Sequence, residues 1–488
     1  MKKTLIYLIL IVLITSIASC NPDKFLDTPA PNFSDKTFFN SEEAATLAIT
    51  GAYDPMGWYN FSQLTQWAIG DAVSDDAVKG GGGDGDYAEI YEMTHFTVTP
   101  DNPLIGERWE QLYVGINRAN KVIEGLQDND KIAEEVRERI IGEAKFLRGF
   151  YLFELVKTFG GVPIVDHVLS PSEYMNPRNS IEECYAQLET DFSEAASVLP
   201  KKSELPAEEL GRATWGAAKA LLTKTYIFEE KWAEADATAT EIIDSEEYDL
   251  EEEYGDLFTL ETDNGIESVF DIQFAFLNQP GWLDENEGSH LEIMHRSRDD
   301  RNGGWGFDQP TQDLYDEFED EDPRREWTII SDQDVLWEGT DDEEVIYTAY
   351  DPVHNPDAVT GYNKRKGTLP ESLRGNNEDQ SPLNLRYIRF AEVLLWQAEA
   401  RAHTGGDWQT PVNRIRERVG LDPTGYSDGI QAVYHERRVE LAMEGHRYWD
   451  LVRTGRGNLM DGYSENKRYF PIPQKEINMN PNLTQNPY

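Results

Sequence analysis

Residues 435–455, HERRVELAMEGHRYWDLVRTG, combine a helical spacing of apolar residues with a high density of charges. Such a helical stripe is normally buried in a globular protein. Gly445 and Trp449 indicate close packing against another helix. The stretch therefore predicts one helix around which the rest of the chain is organised. The stripe residues recur at steps of three, four or seven: Tyr434, Leu441, Gly445, Tyr448 and Val452.

The acidic residues of this stretch predict an ion network. Glu436, Glu440 and Glu444 stand four residues apart, so their like charges repel one another on a helix unless cations pair with them. A solvated charged face is the alternative, but the close packing indicated by Gly445 and Trp449 favours partial burial. We expect this network to be part of the scaffold and not a catalytic centre. The cations expected to pair with the three glutamates are Arg437, Arg447 and Arg453.

Helical periodicity repeats in pairs along the chain. Residues 213–228 and 232–243 form a predicted hairpin that resembles a tetratricopeptide unit, and residues 388–403 and 408–419 repeat the plan. Residues 251–384 lie between these pairs, are rich in Gly, Pro, Asp and Asn, and contain only short strand-like pieces such as SVFDIQF. The predicted fold is mostly α: a tetratricopeptide-like helical solenoid with a large irregular, loop-rich lobe and few short strands.

Residues 437–455 resemble a segment of the SusD/RagB-like glycan-binding lipoproteins of the outer membrane. Three further stretches resemble that family: residues 385–400, the helix pair at 212–244 and the tail YFPIPQKEINMNPNLTQNPY. The resemblance implies a non-catalytic cell-surface protein that binds oligo- or polysaccharide and delivers it to a SusC-like TonB-dependent transporter.

The predicted organisation has three parts. Residues 1–19 read as a lipoprotein signal peptide, and residues 20–40 as a lipidated N-terminus and tether. Residues 41–488 are expected to form a single SusD-like domain. Within it, a helical scaffold covers 41–250 and 385–455, a loop-rich ligand-binding insertion covers 251–384, and a C-terminal tail covers 456–488.

The N-terminus, MKKTLIYLILIVLITSIASC, carries two lysines, an apolar run too short to span a bilayer, and small residues before Cys20. This order resembles a bacterial lipobox, in which Cys20 becomes the lipidated first residue of the mature protein. Ordinary secretion with an incidental cysteine is the alternative. We expect lipidation, because several acyl chains hold an otherwise soluble protein at a membrane. The predicted location is the outer membrane, at the cell surface.

Composition excludes one class of partner. The 44 Lys and Arg residues face 91 Asp and Glu residues, a formal net charge of −47 over 488 residues. Such a chain repels nucleic acid phosphates, so nucleic acid is not an expected partner. Once Cys20 is modified, only Cys184 remains, so no intramolecular disulfide is expected.

The glycine-rich run AVKGGGGDGDYAEIY predicts a loop that lets another part of the chain, or a ligand, approach closely. It lacks the Lys-Ser/Thr pair of a phosphate-binding loop and the spacing of a calcium-binding repeat, so it stays either a binding loop or an ordinary surface loop. In the resembled family the corresponding region contributes an aromatic residue to the glycan site. Here Tyr87 would fill that role, with Asp84 and Lys79 as hydrogen-bonding companions.

Aromatic residues in the irregular lobe complete the candidate site. Trp282, in NQPGWLDENEGSH, has turn-forming and acidic neighbours and is expected to be exposed, and Trp305 follows the basic run HRSRDDRNGG with Arg301. Tyr87, Trp282 and Trp305 are predicted to form an arc that stacks on sugar rings, with Arg301 as a further hydrogen-bonding companion. Whether the glycan is neutral or acidic stays open, because Asp299 and Asp300 could neutralise the local arginines.

No catalytic or metal motif survives inspection. Residues 425–429, GYSDG, match a GxSxG pattern, but no predicted strand precedes Ser427. His435 and Glu436 lack the second histidine of a zinc motif, so neither a metal site nor a cofactor is expected. Pairs of carboxylates, which glycoside hydrolases use, are not informative here, because any spacing can be found among 91 acidic residues. A lipid-anchored secreted glycoside hydrolase or polysaccharide lyase is the alternative function.

Overall fold

The computed structural model describes residues 38–275, 288–374 and 381–488. The signal peptide, Cys20 and almost all of the tether lie outside these ranges, and so does Trp282. Within them the chain is mostly helical with short strands, which confirms the predicted fold class. No helix of the described ranges has an apolar stretch long enough to cross a bilayer.

The N-terminal part of the described chain folds into helices that pack on their neighbours in sequence. Ser41 and Ser180 each accept a hydrogen bond from a backbone N–H of the following first turn, which fixes where two helices begin. Gly115 allows close packing, since a β-carbon there would lie 2.4 Å from the Tyr151 ring. The helices are α1 Glu42–Tyr53, α2 Ala88–Thr94, α3 Pro103–Leu126, α4 Glu134–Phe159, α5 Ile181–Val198, α6 Trp215–Phe228 and α7 Trp232–Asp244.

The C-terminal part adds short helices in the irregular lobe and a second helix pair. These helices are α8 Leu291–His295, α9 Gln312–Glu317, α10 Arg324–Thr328, α11 Phe390–Thr404, α12 Gln409–Arg418, α13 Gly429–Glu440, α14 Arg447–Arg453 and α15 Gln474–Met479. Both predicted helix hairpins, α6–α7 and α11–α12, are confirmed. Because α11 packs against α7 and α13, it joins the two hairpins to the central stretch.

The strands form two-stranded antiparallel sheets that tie distant segments together. The pairs are β1 Ala77–Gly80 with β3 Phe307–Pro310, β2 Ser268–Ile272 with β8 Leu385–Arg389, β4 Ile329–Ser331 with β7 Tyr362–Lys364, and β5 Asp334–Leu336 with β6 Glu344–Ile346. The β1–β3 pair places Gly80 opposite Phe307, so the glycine-rich loop meets the irregular lobe. The strand β8 replaces the first residues of the helix predicted from 388.

The central stretch is not one helix, and the prediction was wrong on this point. Helix α13 ends at Glu440 and α14 begins at Arg447. Between them Met443 has φ 62° and Gly445 φ 82°. The Gly445 N–H donates to Asp71 Oδ1 at 2.8 Å, and a β-carbon at Gly70 would lie 2.3 Å from the Gly445 oxygen. The close approach requires glycine at residue 70, and the left-handed φ of Gly445 is one that glycine adopts without strain.

The buried ion network is confirmed, but its predicted pairing was wrong. Glu436 and Glu440 are 1% and 0% exposed, and their partners come from distant segments. Glu436 pairs with Arg324 and Arg416, Glu440 with Arg324, Arg389 and Arg418, and Glu444 with Arg389 and Lys366. The arginines predicted as partners bind elsewhere: Arg437 to Glu392 and Asp450, Arg447 to Asp75, and Arg453 to Glu399 and Asp450.

Candidate functional site

The glycine-rich loop after β1 is held from inside by Lys79. This side chain is only 7% exposed, and its Nζ donates to the backbone oxygens of Gly80, Gly83 and Asp86 at 3.2, 2.8 and 2.6 Å. Burial lowers the pKa of Lys79. The side chain predicted to be a hydrogen-bonding companion of a ligand is thus already engaged with the loop, whose shape it fixes.

The same loop is anchored to the irregular lobe at Gly306. The Gly81 N–H donates to the Gly306 oxygen at 2.9 Å, and a β-carbon at Gly80 would lie 2.2 Å from that oxygen. Gly80 and Gly81 have φ values of 65° and 72°. Glycine is therefore required at this approach, which agrees with the close-contact loop expected from the sequence. Asp84 lies exposed at the loop tip.

Tyr87 lies where the loop enters α2 and is half-buried. It has φ 51°, and its hydroxyl lies 2.7 Å from the hydroxyl of Tyr59. Its ring meets Phe307 edge-on with the centroids 5.6 Å apart. Burial raises the pKa of Tyr87, so the phenol stays protonated at neutral pH. Tyr87 therefore has a fixed orientation with only part of its surface accessible.

Arg298 connects the glycine-rich loop to a second loop, residues 348–361. Its guanidinium lies 3.6 Å from Asp86 Oδ2 and 3.4 Å from Asp357 Oδ2, and it donates to the backbone oxygen of Trp305 at 3.3 Å. Asp86 also accepts the Gly82 N–H at 2.7 Å. One cation thus holds three segments at a common surface.

Arg301 reaches this surface but already has a partner. Its guanidinium donates two hydrogen bonds to Asp299, at 2.6 and 2.5 Å, and lies 3.5 Å from the centroid of the Tyr347 ring. The Arg301 guanidinium lowers the pKa of Asp299. Trp305 is half-buried, with its backbone N–H bonded to the Ile293 oxygen at 2.8 Å. Arg298 thus links the Trp305 segment to the loop that carries Asp84 and Tyr87, whereas Arg301 contacts Asp299 and Tyr347.

Tyr350 is an exposed aromatic residue that the sequence reasoning missed. It is 65% exposed and stands in residues 348–361, a loop held at several points. The Asp351 carboxylate accepts the Val353 N–H at 2.8 Å, and His354 Nδ1 lies 2.9 Å from Asp300 Oδ1. The run TAYDPVHNPDAVTG, a tyrosine among turn-forming residues, was the available signal. We use the name loop face for Asp84, Tyr87, Arg298, Arg301, Tyr347 and Tyr350, which lie on or next to the segments that Arg298 links.

The loop face is acidic. Its two arginines are each paired with aspartate, and further carboxylates surround them. Within the described ranges, no three His, Cys, Asp or Glu side chains are placed to hold a metal ion together. The surface therefore offers aromatic faces and hydrogen-bond acceptors, with a net negative field. The aspartates at or beside it are Asp84, Asp86, Asp300, Asp351 and Asp357.

Comparison with known proteins agrees with this architecture. The SusD family model matches residues 266–467, and a model described as starch-binding associating with outer membrane matches residues 24–227. The solved structure of a laminarin-binding SusD-like protein has a TM-score of 0.81 and 30% identity, covering 92% of this chain and 99% of that one. The chain belongs to the SusD family.

Two further members support the match. Surface glycan-binding protein A from Bacteroides thetaiotaomicron, solved in complex with laminarihexaose, has a TM-score of 0.79 and 27% identity, covering 92% of this chain and 100% of that one. SusD-like protein P2 of Formosa agariphila is 26% identical over 98% of each chain. In this SusD-family chain the loop face draws on both matched regions, with Tyr87 in one and Tyr350 in the other.

Proposed function

We propose that this protein is a non-catalytic cell-surface protein that binds oligo- or polysaccharide at the loop face and delivers it to a SusC-like TonB-dependent transporter. The observation that carries the proposal is the exposed Tyr350 in a fixed loop, beside ordered acceptors, in a chain of the SusD family. Relatives described as laminarin binding or solved in complex with laminarihexaose support the ligand class.

The chemistry of the loop face suits a sugar ring. A pyranose has an apolar C–H face that stacks on an aromatic ring, while its hydroxyl groups need fixed polar partners at the ring edge. In this proposal Tyr350 supplies the ring, and the exposed carboxylates of Asp84 and Asp300 supply acceptors. Because the Arg298 contacts hold the loops in place, little conformational entropy is lost when a ligand binds. Trp282 stays a predicted member of the site.

The charge of the loop face favours a neutral glycan. Arg298 and Arg301 already face aspartates, so a uronic acid chain would meet a net negative field without a free cation among these residues. We therefore propose neutral oligosaccharides as the ligand class. The lipid anchor on Cys20 would hold the protein at the outer membrane, next to the transporter that receives the ligand.

Alanine at Tyr350 tests the proposal. Tyr350→Ala should weaken binding of a neutral oligosaccharide by about 1–3 kcal/mol, as for an exposed aromatic anchor, with the melting temperature unchanged. Tyr426→Ala is the matched control, since Tyr426 is also exposed, at 42%, but lies outside the loop face. Calorimetric titration against a panel of neutral and acidic polysaccharides gives both affinity and class. Equal affinities for the two variants would remove Tyr350 from the site.

The same panel separates binding from catalysis. A binding protein is retarded in native gels containing its polysaccharide and leaves the number of reducing ends constant. New reducing ends would instead support the glycoside hydrolase alternative, and new unsaturated ends the lyase. Retardation by acidic polymers alone would overturn the proposed preference for neutral glycans.

A further inference from the structure

A groove on another part of the surface has the dimensions of a ligand site. It has a volume of about 670 Å³, within the range of roughly 300–1,000 Å³ that is typical of small-molecule sites. Helix α3 forms one wall, residues 163–176 a second and α15 the third, and it shares no residue with the loop face. Its apolar lining includes Trp109, Tyr113, Leu169, Tyr174, Met175 and Met479. We call it the C-terminal groove.

The walls of the C-terminal groove are fixed by hydrogen bonds between segments distant in sequence. Asn480 Nδ2 donates to the Asn176 oxygen at 2.8 Å, and Asn482 Nδ2 donates to the Met175 oxygen at 2.7 Å. The Tyr113 hydroxyl donates to the Pro163 oxygen at 2.8 Å. The groove is therefore preformed, which reduces the entropy lost on binding.

Two side chains of the groove have the chemistry of a sugar site. Tyr174 is 62% exposed, so its ring is available for stacking. Glu476 is half-buried, and no hydrogen bond to its carboxylate is found within the described ranges. Burial raises its pKa, as expected for a carboxylate that lacks donors. A ligand hydroxyl group would supply the missing donor, while Lys475 and Glu110 pair with each other at 3.0 Å on the rim.

We propose that the C-terminal groove is a second carbohydrate-binding site that takes a short segment of a neutral oligosaccharide, stacked on Tyr174 and donating a hydroxyl hydrogen bond to Glu476. The inference rests on the proposed function at the loop face. The groove suits a sugar better than an anion, because its lining carries Glu110, Glu173 and Glu476 against the one lysine Lys475. Its concave shape and mixed lining also distinguish it from a flat protein interface.

The methyl NMR signals of methionines in the groove walls can report ligand binding in the C-terminal groove. The chain contains only 8 methionines, and Met175 and Met479 lie in the groove walls. With ¹³C-methyl methionine, addition of laminarihexaose or maltohexaose should shift the Met175 and Met479 signals, which are assigned by Met→Leu variants. The shifts should persist in Tyr350→Ala, since that variant leaves the groove intact.

Groove variants complete the test. Tyr174→Ala and Glu476→Gln should each weaken the binding that shifts these two signals by about tenfold, and Tyr426→Ala should leave it unchanged. Melting temperatures verify that the variants are folded. Absence of Met175 and Met479 shifts at millimolar concentrations of both hexasaccharides would overturn the groove proposal, even where titration still shows binding at the loop face. Loss of all binding in Tyr350→Ala, groove signals included, would also overturn it.

Discussion

Glu444 joins two cations in the buried network, so its removal measures what the network contributes to stability. Its Oε1 accepts from Lys366 Nζ at 2.7 Å and from Arg389 Nη2 at 2.8 Å, and its Oε2 accepts from Arg389 Nε at 2.8 Å. Burial opposes ionisation of Glu444, but Arg389 and Lys366 outweigh it and lower its pKa to about 2. The Lys366 side chain is only 2% exposed.

We predict that Glu444→Ala lowers the free energy of unfolding by about 3–5 kcal/mol, because it leaves a buried cation without its counterion. Arg389 keeps Glu267 and Glu440, and Lys366 keeps the backbone oxygen of Glu440 at 3.0 Å and its position over the rings of Tyr254 and Phe258. The loss should therefore fall near the lower end of the range. With an unfolding entropy of about 2.1 cal/mol/K per residue, a chain of this length loses roughly 1 °C of melting temperature per kcal/mol, so about 3 °C is expected.

The loss also depends on pH through Lys366. Burial lowers the pKa of Lys366 to about 8, so above that pH the lysine is neutral and removal of its counterion costs less. The difference in unfolding free energy between wild type and Glu444→Ala should thus shrink between pH 7 and pH 9.

Urea unfolding and calorimetry at both pH values measure the effect of Glu444→Ala. Glu110→Ala is the control, because Glu110 pairs with Lys475 in an exposed ion pair and its removal should leave the melting temperature unchanged. Affinity for the glycan at the loop face should be the same in both variants. An unchanged melting temperature in Glu444→Ala would show that the network is solvated and refute the reasoning.

Three further predictions concern pH, anchoring and the loop face. Because the pKa of Glu444 is lowered in the folded state, its ionisation stabilises the fold fully above the unfolded-state pKa of about 4.3, and this stabilisation is lost as the pH falls toward 2. Urea unfolding midpoints at pH 5 and pH 3 measure the loss. Equal midpoints would contradict the prediction. Cys20→Ala should move the protein from the outer membrane to the soluble fraction, and membrane retention at high salt would count against lipidation. Arg298→Ala should release Asp86 and Asp357. We expect glycan binding to weaken several-fold and proteolysis of residues 348–361 to become faster, with little change in melting temperature. Unchanged affinity would exclude a positioning role for Arg298.

Local patterns predicted the helices well because their causes are local. The hairpin α6–α7 follows from residue spacing, which the sequence displays directly. The break at Gly445 was not predictable in this way. Glycine at this position is also compatible with close helix packing, and neither its contact with Gly70 nor its left-handed backbone can be read from the local pattern.

The ion network shows where sequence reasoning stops. The charge density of residues 435–455 correctly predicted that acids and bases are buried together. Their pairing was wrong because i, i+4 spacing describes only one helix. Arg447 binds Asp75, a residue far away in the sequence, and Glu436 binds Arg324 of another helix. Partner choice here is set by tertiary packing, which brings α10, β8 and the central stretch together.

The same distinction explains the candidate site. The glycine-rich loop was found because its composition requires an unusual backbone, and Gly80 and Gly81 confirm that requirement. Side-chain roles within it were less predictable. Lys79 differs from an exposed lysine because its ammonium group donates to backbone oxygens of the loop. Tyr350 belongs to a loop that Arg298 contacts only through Asp357. The residue type tells which functional group a side chain carries. Long-range contacts decide whether that group is accessible to a ligand or is already bonded within the protein.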